Sequence, residues 1–179
     1  MAKQVSTTYG EALFELAVEE NKIDDFFEEI KALLAVFSEN EEMVKLLSHP
    51  KVLKEDKIAF VENVFKGQAN EQITGFLTII IKKDRQGDIP AILEYFIKRV
   101  KDYKQIGVAS VTSAVALTDD QKKKVEAKLL ETTDYKSMEV EYHVDAALIG
   151  GMVIRIEDRV VDSSIRTRLL TMRQSLLKA

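Results

Sequence analysis

Up to about Tyr103, apolar residues recur at helical spacing. Tyr9, Ala12, Leu13, Leu16 and Ala17 form one stripe, and Ile23, Phe26, Phe27, Ile30, Leu33, Leu34 and Phe37 form a second, longer one. Glu41 to Leu47 reads as a short helix halted at His49-Pro50, because proline disfavours helical geometry in the residue before it. A fourth helix runs from about Leu53 through Ile58, Val61 and Phe65, with Gly67 placed to end it. Ile73, Phe76, Leu77 and Ile80 define a fifth. The sixth opens with Asp88 as a cap and Pro90 in its first turn, then runs through Leu93, Phe96, Ile97 and Val100. Short helices with short connections predict a compact six-helix bundle.

Beyond Lys104 the period changes. Gly107 to Val115 is rich in Val, Ser, Thr and Ala and reads as a strand. Thr118 followed three residues later by Gln121 is a capping-box pattern, opening a helix through Val125 and Leu129. From Met138 the alternation is strict, with Met138, Val140, Tyr142 and Val144 on one side and Glu139, Glu141, His143 and Asp145 on the other. A strand from Gly151 to Ile156 turns at Glu157-Asp158 and returns through Val160-Val161. Asp162 or Ser163 can cap a last helix whose stripe is Ile165, Leu169, Met172 and Leu176. The expected fold class is therefore α+β, with an all-α bundle over 1–105 and a small α+β domain over 106–179 that ends in a helix.

Charge follows the same division. Residues 1–105 hold 15 basic and 19 acidic side chains, whereas 106–179 hold 11 of each, and after Asp162 only the basic Arg166, Arg168, Arg173 and Lys178 remain. An acidic start and a basic end are either two surfaces for different partners or ordinary solvated faces. Glu11, Glu15, Glu19, Glu20, Asp24 and Asp25 near the start are not those of a secretory or transit segment. No apolar run approaches the ~18 residues of a membrane span, so any membrane association is expected only through partners, from the cytoplasm.

Candidate chemistry is scarce. The chain has no cysteine and only two histidines, His49 and His143, so neither a disulfide nor a histidine-based metal site is expected. Phosphate-loop and dinucleotide-binding glycine patterns are absent. Asp24-Asp25 and Glu28-Glu29 lie on a polar helix side with nothing to perturb them. Gly150-Gly151 is either close packing or a bulge at a strand entrance, or else a ligand contact. No catalytic residue, cofactor or metal is expected, and the chain reads as a connector.

Apolar residues are in surplus on two helices. Ile79 falls well over 90° from the centre of the fifth helix's stripe, in a sector with Gly75, Thr78 and Lys82. Phe14 and Val18 lie away from the first helix's stripe. Either both helices sit centrally in the bundle, or they frame a groove for a further helix. About 15 residues of helix would give such a groove a length of ~22 Å.

The run Asp145-Ala146-Ala147-Leu148-Ile149-Gly150-Gly151-Met152-Val153-Ile154-Arg155, with Val160-Val161-Asp162-Ser163-Ser164-Ile165-Arg166-Thr167-Arg168-Leu169, resembles the signature of the delta subunit and oligomycin sensitivity-conferring protein family of F-type ATP synthases. Tyr9-Gly10-Glu11-Ala12-Leu13-Phe14 resembles that family's first helix, as do Leu46-Leu47-Ser48-His49-Pro50 with Lys54 and Lys57, and Phe76-Leu77 followed by Arg85. Two turn positions depart from the pattern. Asp84 stands where a glycine commonly precedes the arginine, and Ser163 where one often follows the aspartate.

The resemblance implies a non-catalytic stator subunit, monomeric by itself and held at the cytoplasmic side of the cell membrane as part of the ATP synthase. It implies that the bundle takes the amino-terminal helix of an alpha subunit, in the catalytic head, between its first and fifth helices. Matched by position, Tyr9, Ala12, Gly75, Thr78, Ile79 and Lys82 are the groove candidates. It also implies that the carboxy-terminal part holds the end of the b-subunit stalk, with Arg166, Leu169 and Arg173 as candidate contacts. The rivals are a generic helix-binding adaptor and a nucleic-acid-binding module. The second is disfavoured by the acidic net charge and by the lack of aromatic residues in the basic helix.

Overall fold

A computed structural model describes residues 2–49, 52–65 and 70–178. The helix stops expected at Pro50 and Gly67 lie outside the described residues. The chain is α+β and divides into two compact units, residues 1–100 and 101–179.

The first unit holds α1 (Ala2–Glu19), α2 (Ile23–Glu39), α3 (Glu41–Ser48), α4 (Lys54–Phe65) and α5 (Glu71–Lys82). A single 3-10 turn, Gln86–Asp88, leads into α6 (Ile89–Lys104), within which the division between the units falls. The helices share one apolar core, to which they contribute Leu13, Phe26, Ile30, Leu47, Val61, Ile73, Leu77, Ile80, Leu93 and Phe96 among others. Burying each such side chain contributes roughly 1.5–3 kcal/mol, which outweighs the weak propensity of helices this short. Local signals set the helix ends. The Asn70 side chain accepts from Gln72 N to cap α5.

At the other end of α5 the chain reverses through a left-handed residue. Asp84 has φ 57°, while Asp84 N and Arg85 N donate back to Ile81 O and Ile80 O, each at 3.0 Å. This is the glycine-like position noted in the sequence. An aspartate tolerates the conformation better than most residues, and here its carboxylate also pairs with Lys54.

In the second unit β1 (Ile106–Ser113) is followed by α7 (Asp119–Thr132) and β2 (Ser137–Val144). After a 3-10 turn at Ala146–Leu148 come β3 (Met152–Ile156), β4 (Arg159–Asp162) and α8 (Ile165–Lys178). The sheet order is β2-β1-β3-β4. β1 and β2 run parallel across the α7 crossover, and the other pairs are antiparallel. The register aligns Ala109 with Val140 and Val111 with Tyr142, and Val111 with Ile154, so one face is apolar. The opposite face shows Glu139, Glu141 and His143 to solvent, as the alternation predicts. Val144 departs from the pattern at the strand's end, where it is 61% exposed.

Thr118 and Gln121 form the full capping box at the start of α7. The Tyr142 hydroxyl reaches the helix, within hydrogen-bond distance of Lys122 O (3.2 Å) and Glu126 Oε1 (3.1 Å). Burial, and then the Glu126 carboxylate, push its pKa up to about 12.

Candidate partner-binding surfaces

Each residue of Tyr9-Gly10-Glu11-Ala12-Leu13-Phe14 has a separate structural task. A Cβ on Gly10 would lie 2.4 Å from Tyr95 Cδ1, so only glycine lets α1 approach α6 this closely. Glu11 holds the same pair of helices, taking Arg99 Nε at 3.2 Å and the Tyr95 hydroxyl at 3.1 Å. Leu13 and Phe14 are core residues. Of the two readings open for the extra apolar residues of the first helix, Phe14 fits the central one: it is 6% exposed and lies beneath the Arg99 guanidinium, 4.7 Å from the ring centre. The buried arc of α1 is wider than the single stripe read from sequence. Val18 does remain at the surface, 36% exposed.

Tyr9 and Ala12 face the other way. The Tyr9 ring meets Phe76 of α5 edge to face, with centroids 6.5 Å apart. Further along, Arg85 and the α1 residues Gln4, Val5, Thr8 and Tyr9 line one depression of about 410 Å³. Moving forward on α5 is therefore moving back on α1, so the two helices are antiparallel. At 100° per residue, Ala12 lies about 60° beyond Tyr9, and Ile79 lies about 60° beyond Phe76, both turned away from the core. Because the helices are antiparallel, those rotations carry both residues to the same outer side. Ala12 and Ile79, both exposed, therefore flank the Tyr9–Phe76 contact on one side.

Ile79 is 51% exposed although the other large apolar residues of α5 are buried. Gly75, one turn earlier, is exposed, and a Cβ there would meet nothing within 4 Å. Lys82 is exposed at the end of the helix. Thr78 departs from the expected set: it is 9% exposed, and its hydroxyl donates to Thr74 O at 3.0 Å. The sequence reading missed Val5, and it placed Leu16 in the first helix's stripe without naming it a contact. Both are half-buried and continue the Tyr9–Ala12 row at positions i, i+4, i+7 and i+11. That spacing is the signal that finds them.

The second candidate surface is α8. Its N-cap is Ser164, whose hydroxyl accepts from Thr167 N at 3.2 Å, one residue beyond Ser163 and two beyond Asp162. Asp162 instead takes Ser164 N and the Thr167 hydroxyl, each at 2.8 Å, and these hydrogen bonds hold its carboxyl below the usual range. Gly150 and Gly151 seat this cap. A Cβ on Gly150 would be 2.6 Å from Ile165 Cδ1, and one on Gly151, at φ +75°, would be 2.4 Å from Ser163 O. Close packing thus accounts for the glycine pair.

Beyond that anchor the helix is bare. Ile165, Leu169, Met172 and Leu176 are 43%, 52%, 59% and 79% exposed, so the whole stripe of the last helix, with the candidate contact Leu169 in it, lies at the surface. Arg166 and Arg173 lie beside it and are also exposed.

Among the described residues no group of three or more His, Cys, Asp or Glu side chains could hold a metal ion, and no helix is long and apolar enough to cross a membrane. What the residues present is contact surface. The sequence pattern of the ATP synthase delta (OSCP) subunit family matches residues 5–176. The chain belongs to the ATP synthase delta (OSCP) subunit family. The ATP synthase subunit delta of Lachnoclostridium phytofermentans is 53% identical over 178 residues, covering 99% of this chain and 98% of that protein. The corresponding subunit of Enterococcus hirae is 31% identical over 172 residues, covering 96% and 95%. In fold, the chain is similar to one from the mitochondrial ATP synthase hexamer of Toxoplasma gondii solved by cryo-electron microscopy. That match has a TM-score of 0.73, covers 96% of this chain and 97% of the other, and has 14% sequence identity. Members of the delta (OSCP) family are subunits of a larger machine, in keeping with exposed apolar faces.

Proposed function

We propose that this chain is the non-catalytic stator subunit of a proton-translocating F-type ATP synthase, linking the catalytic head to the peripheral stalk. A rotor turning inside the head exerts torque on it, and a stator has to resist that torque through affinity and stiffness rather than bond chemistry. In this reading α1 to α6 act as a six-helix bundle whose groove takes the amino-terminal helix of an alpha subunit. The stripe and arginines of α8, with Leu169 at their centre, take the end of the b subunit. The chain is monomeric by itself and reaches the cytoplasmic side of the membrane through these partners.

The observation that carries the head contact is Ile79. A half-exposed isoleucine above an aromatic floor, beside a glycine with open space over it, is suited to an amphipathic helix laid across the groove. Ile79→Asp is expected to abolish binding of an alpha-subunit amino-terminal peptide in calorimetry while thermal unfolding stays unchanged. Undiminished affinity in a folded variant would reject the groove.

A further inference from the structure

The groove is electrically polarised. At one end Lys82, Lys83 and Arg85 are exposed at the close of α5. At the other end Glu15 and Glu19 of α1 and Glu71 of α5 are exposed. Antiparallel packing produces this arrangement, because it sets the basic end of α5 beside the uncharged Gln4, Val5 and Thr8 and brings both acidic helix ends together. Neighbouring charges blunt the contrast without cancelling it. Asp84 is engaged by Lys54, Asp88 lies 3.7 Å from Arg85, and Lys22 lies 3.7 Å from Glu20. Eleven residues separate Glu71 from Lys82, about 16 Å along the axis at 1.5 Å per residue. That exceeds the ~10 Å screening length at 0.1 M salt, so the two ends act as separate poles.

We infer that the helix seated in this groove has an acidic first turn and a basic last turn, and lies parallel to α1 with its N-terminus at Lys82, Lys83 and Arg85. This rests on the groove reading above and adds direction to it. Charge complementarity alone fixes which end of the occupant is acidic. The helix dipole then fixes its direction, since acidic side chains stabilise a helix at its N-terminus and basic ones at its C-terminus. A helix that satisfies both requirements satisfies them in only this orientation. The apolar wall of Ala12 and Ile79 supplies affinity with no sense of direction, and the poles supply the direction.

The test uses three synthetic 20-residue amphipathic helices with one shared apolar face, titrated against the full chain by fluorescence anisotropy at low salt. One has an acidic first and a basic last turn, the second has the two exchanged, and the third has neutral glutamine ends. The first is expected to bind about fivefold tighter than the neutral one, the scale of a few exposed ion pairs, and the advantage should vanish at high salt. Lys83→Glu with Arg85→Glu should abolish the advantage and leave the neutral helix unaffected. Glu15→Lys with Glu19→Lys should do the same from the other end, so one variant suffices if the other fails to fold. A spin label on the N-terminus of the first peptide should broaden the amide signals of Thr8 and Lys82, not those of Glu19 and Glu71. Equal binding by polarised and neutral helices overturns the polarity and leaves the groove standing. Preference for the exchanged helix, or broadening at Glu19, overturns the direction. Failure of the neutral helix to bind overturns the groove itself, and the polarity with it.

Discussion

α5 and α8 are 12 and 14 residues long, and each carries an apolar stripe at helical spacing. The fold uses these stripes in opposite ways. Ile73, Leu77 and Ile80 of α5 are fully buried, and Ile79 is left over on the far side. In α8 the stripe itself is left over, and only the Ser164 cap, 1% exposed, is buried. A stripe says that a face needs covering, and does not say whether the same chain supplies the cover. In α5 the proposed partner contact is the residue the stripe cannot explain. In α8 it is the stripe.

The largest expected difference follows from that contrast. Leu77→Ala in α5 empties a fully enclosed position and should cost about 3 kcal/mol in urea unfolding. Leu169→Ala in α8, at a site 52% exposed, should cost under about 0.5 kcal/mol. Similar losses at both sites would mean that α8 is packed in the isolated chain, and the comparison would collapse.

How much of this could be read from sequence depends on whether the deciding interaction is local. The capping box at Thr118 and Gln121 lies within a single turn and was legible in full. So was the alternation from Met138 to Tyr142, because a strand's two sides are set by neighbouring residues. Ile79 stood out because the stripe of Ile73, Phe76, Leu77 and Ile80 made its exception visible. The parallel pairing of β1 with β2 was not legible, since it joins segments about 30 residues apart with no turn signal between them. Phe14 stayed open between core and surface because α1 meets several neighbours, which widens its buried arc beyond one stripe. The α8 stripe was legible as a stripe, but periodicity carries no information about what lies opposite it. The last helix's cap was misplaced by one or two residues, as three consecutive polar residues, Asp162, Ser163 and Ser164, can all cap in principle.

Two glycines sharpen the comparison at a middle scale. Gly151 holds a left-handed φ of +75°, and its missing Cβ makes room for Ser163 O. Gly151→Ala should destabilise the sheet unit by about 2 kcal/mol, through backbone strain and displacement of the strand leading into α8. Gly75 is helical with open space above it, so Gly75→Ala should instead stabilise α5 by up to about 1 kcal/mol. Thermal unfolding of the two variants should therefore shift in opposite directions. A shift in the same direction would indicate that Gly75 is already covered within the chain.

The smallest effect separates the two units by pH. Tyr142 joins β2 to α7, and its pKa rises from 10.0 to about 12, first through burial and then through Glu126. The folded state therefore keeps this proton where the unfolded chain releases it. The stability Tyr142 contributes is complete below pH 10 and is lost as pH climbs from 10 through about 12. The slope from a single group is at most about 1.4 kcal/mol per pH unit. Hydrogen exchange followed between pH 9 and 11 should show the β1, β2 and α7 amides loosening relative to those of α5 once intrinsic rates are corrected. Tyr142→Phe removes the ionisable group and should abolish that relative loosening while keeping the buried ring. If the phenylalanine variant loosens along the same pH curve, another group in the second unit carries the alkaline response. The tie between β2 and α7 would then owe its strength to the ring and not to the hydroxyl.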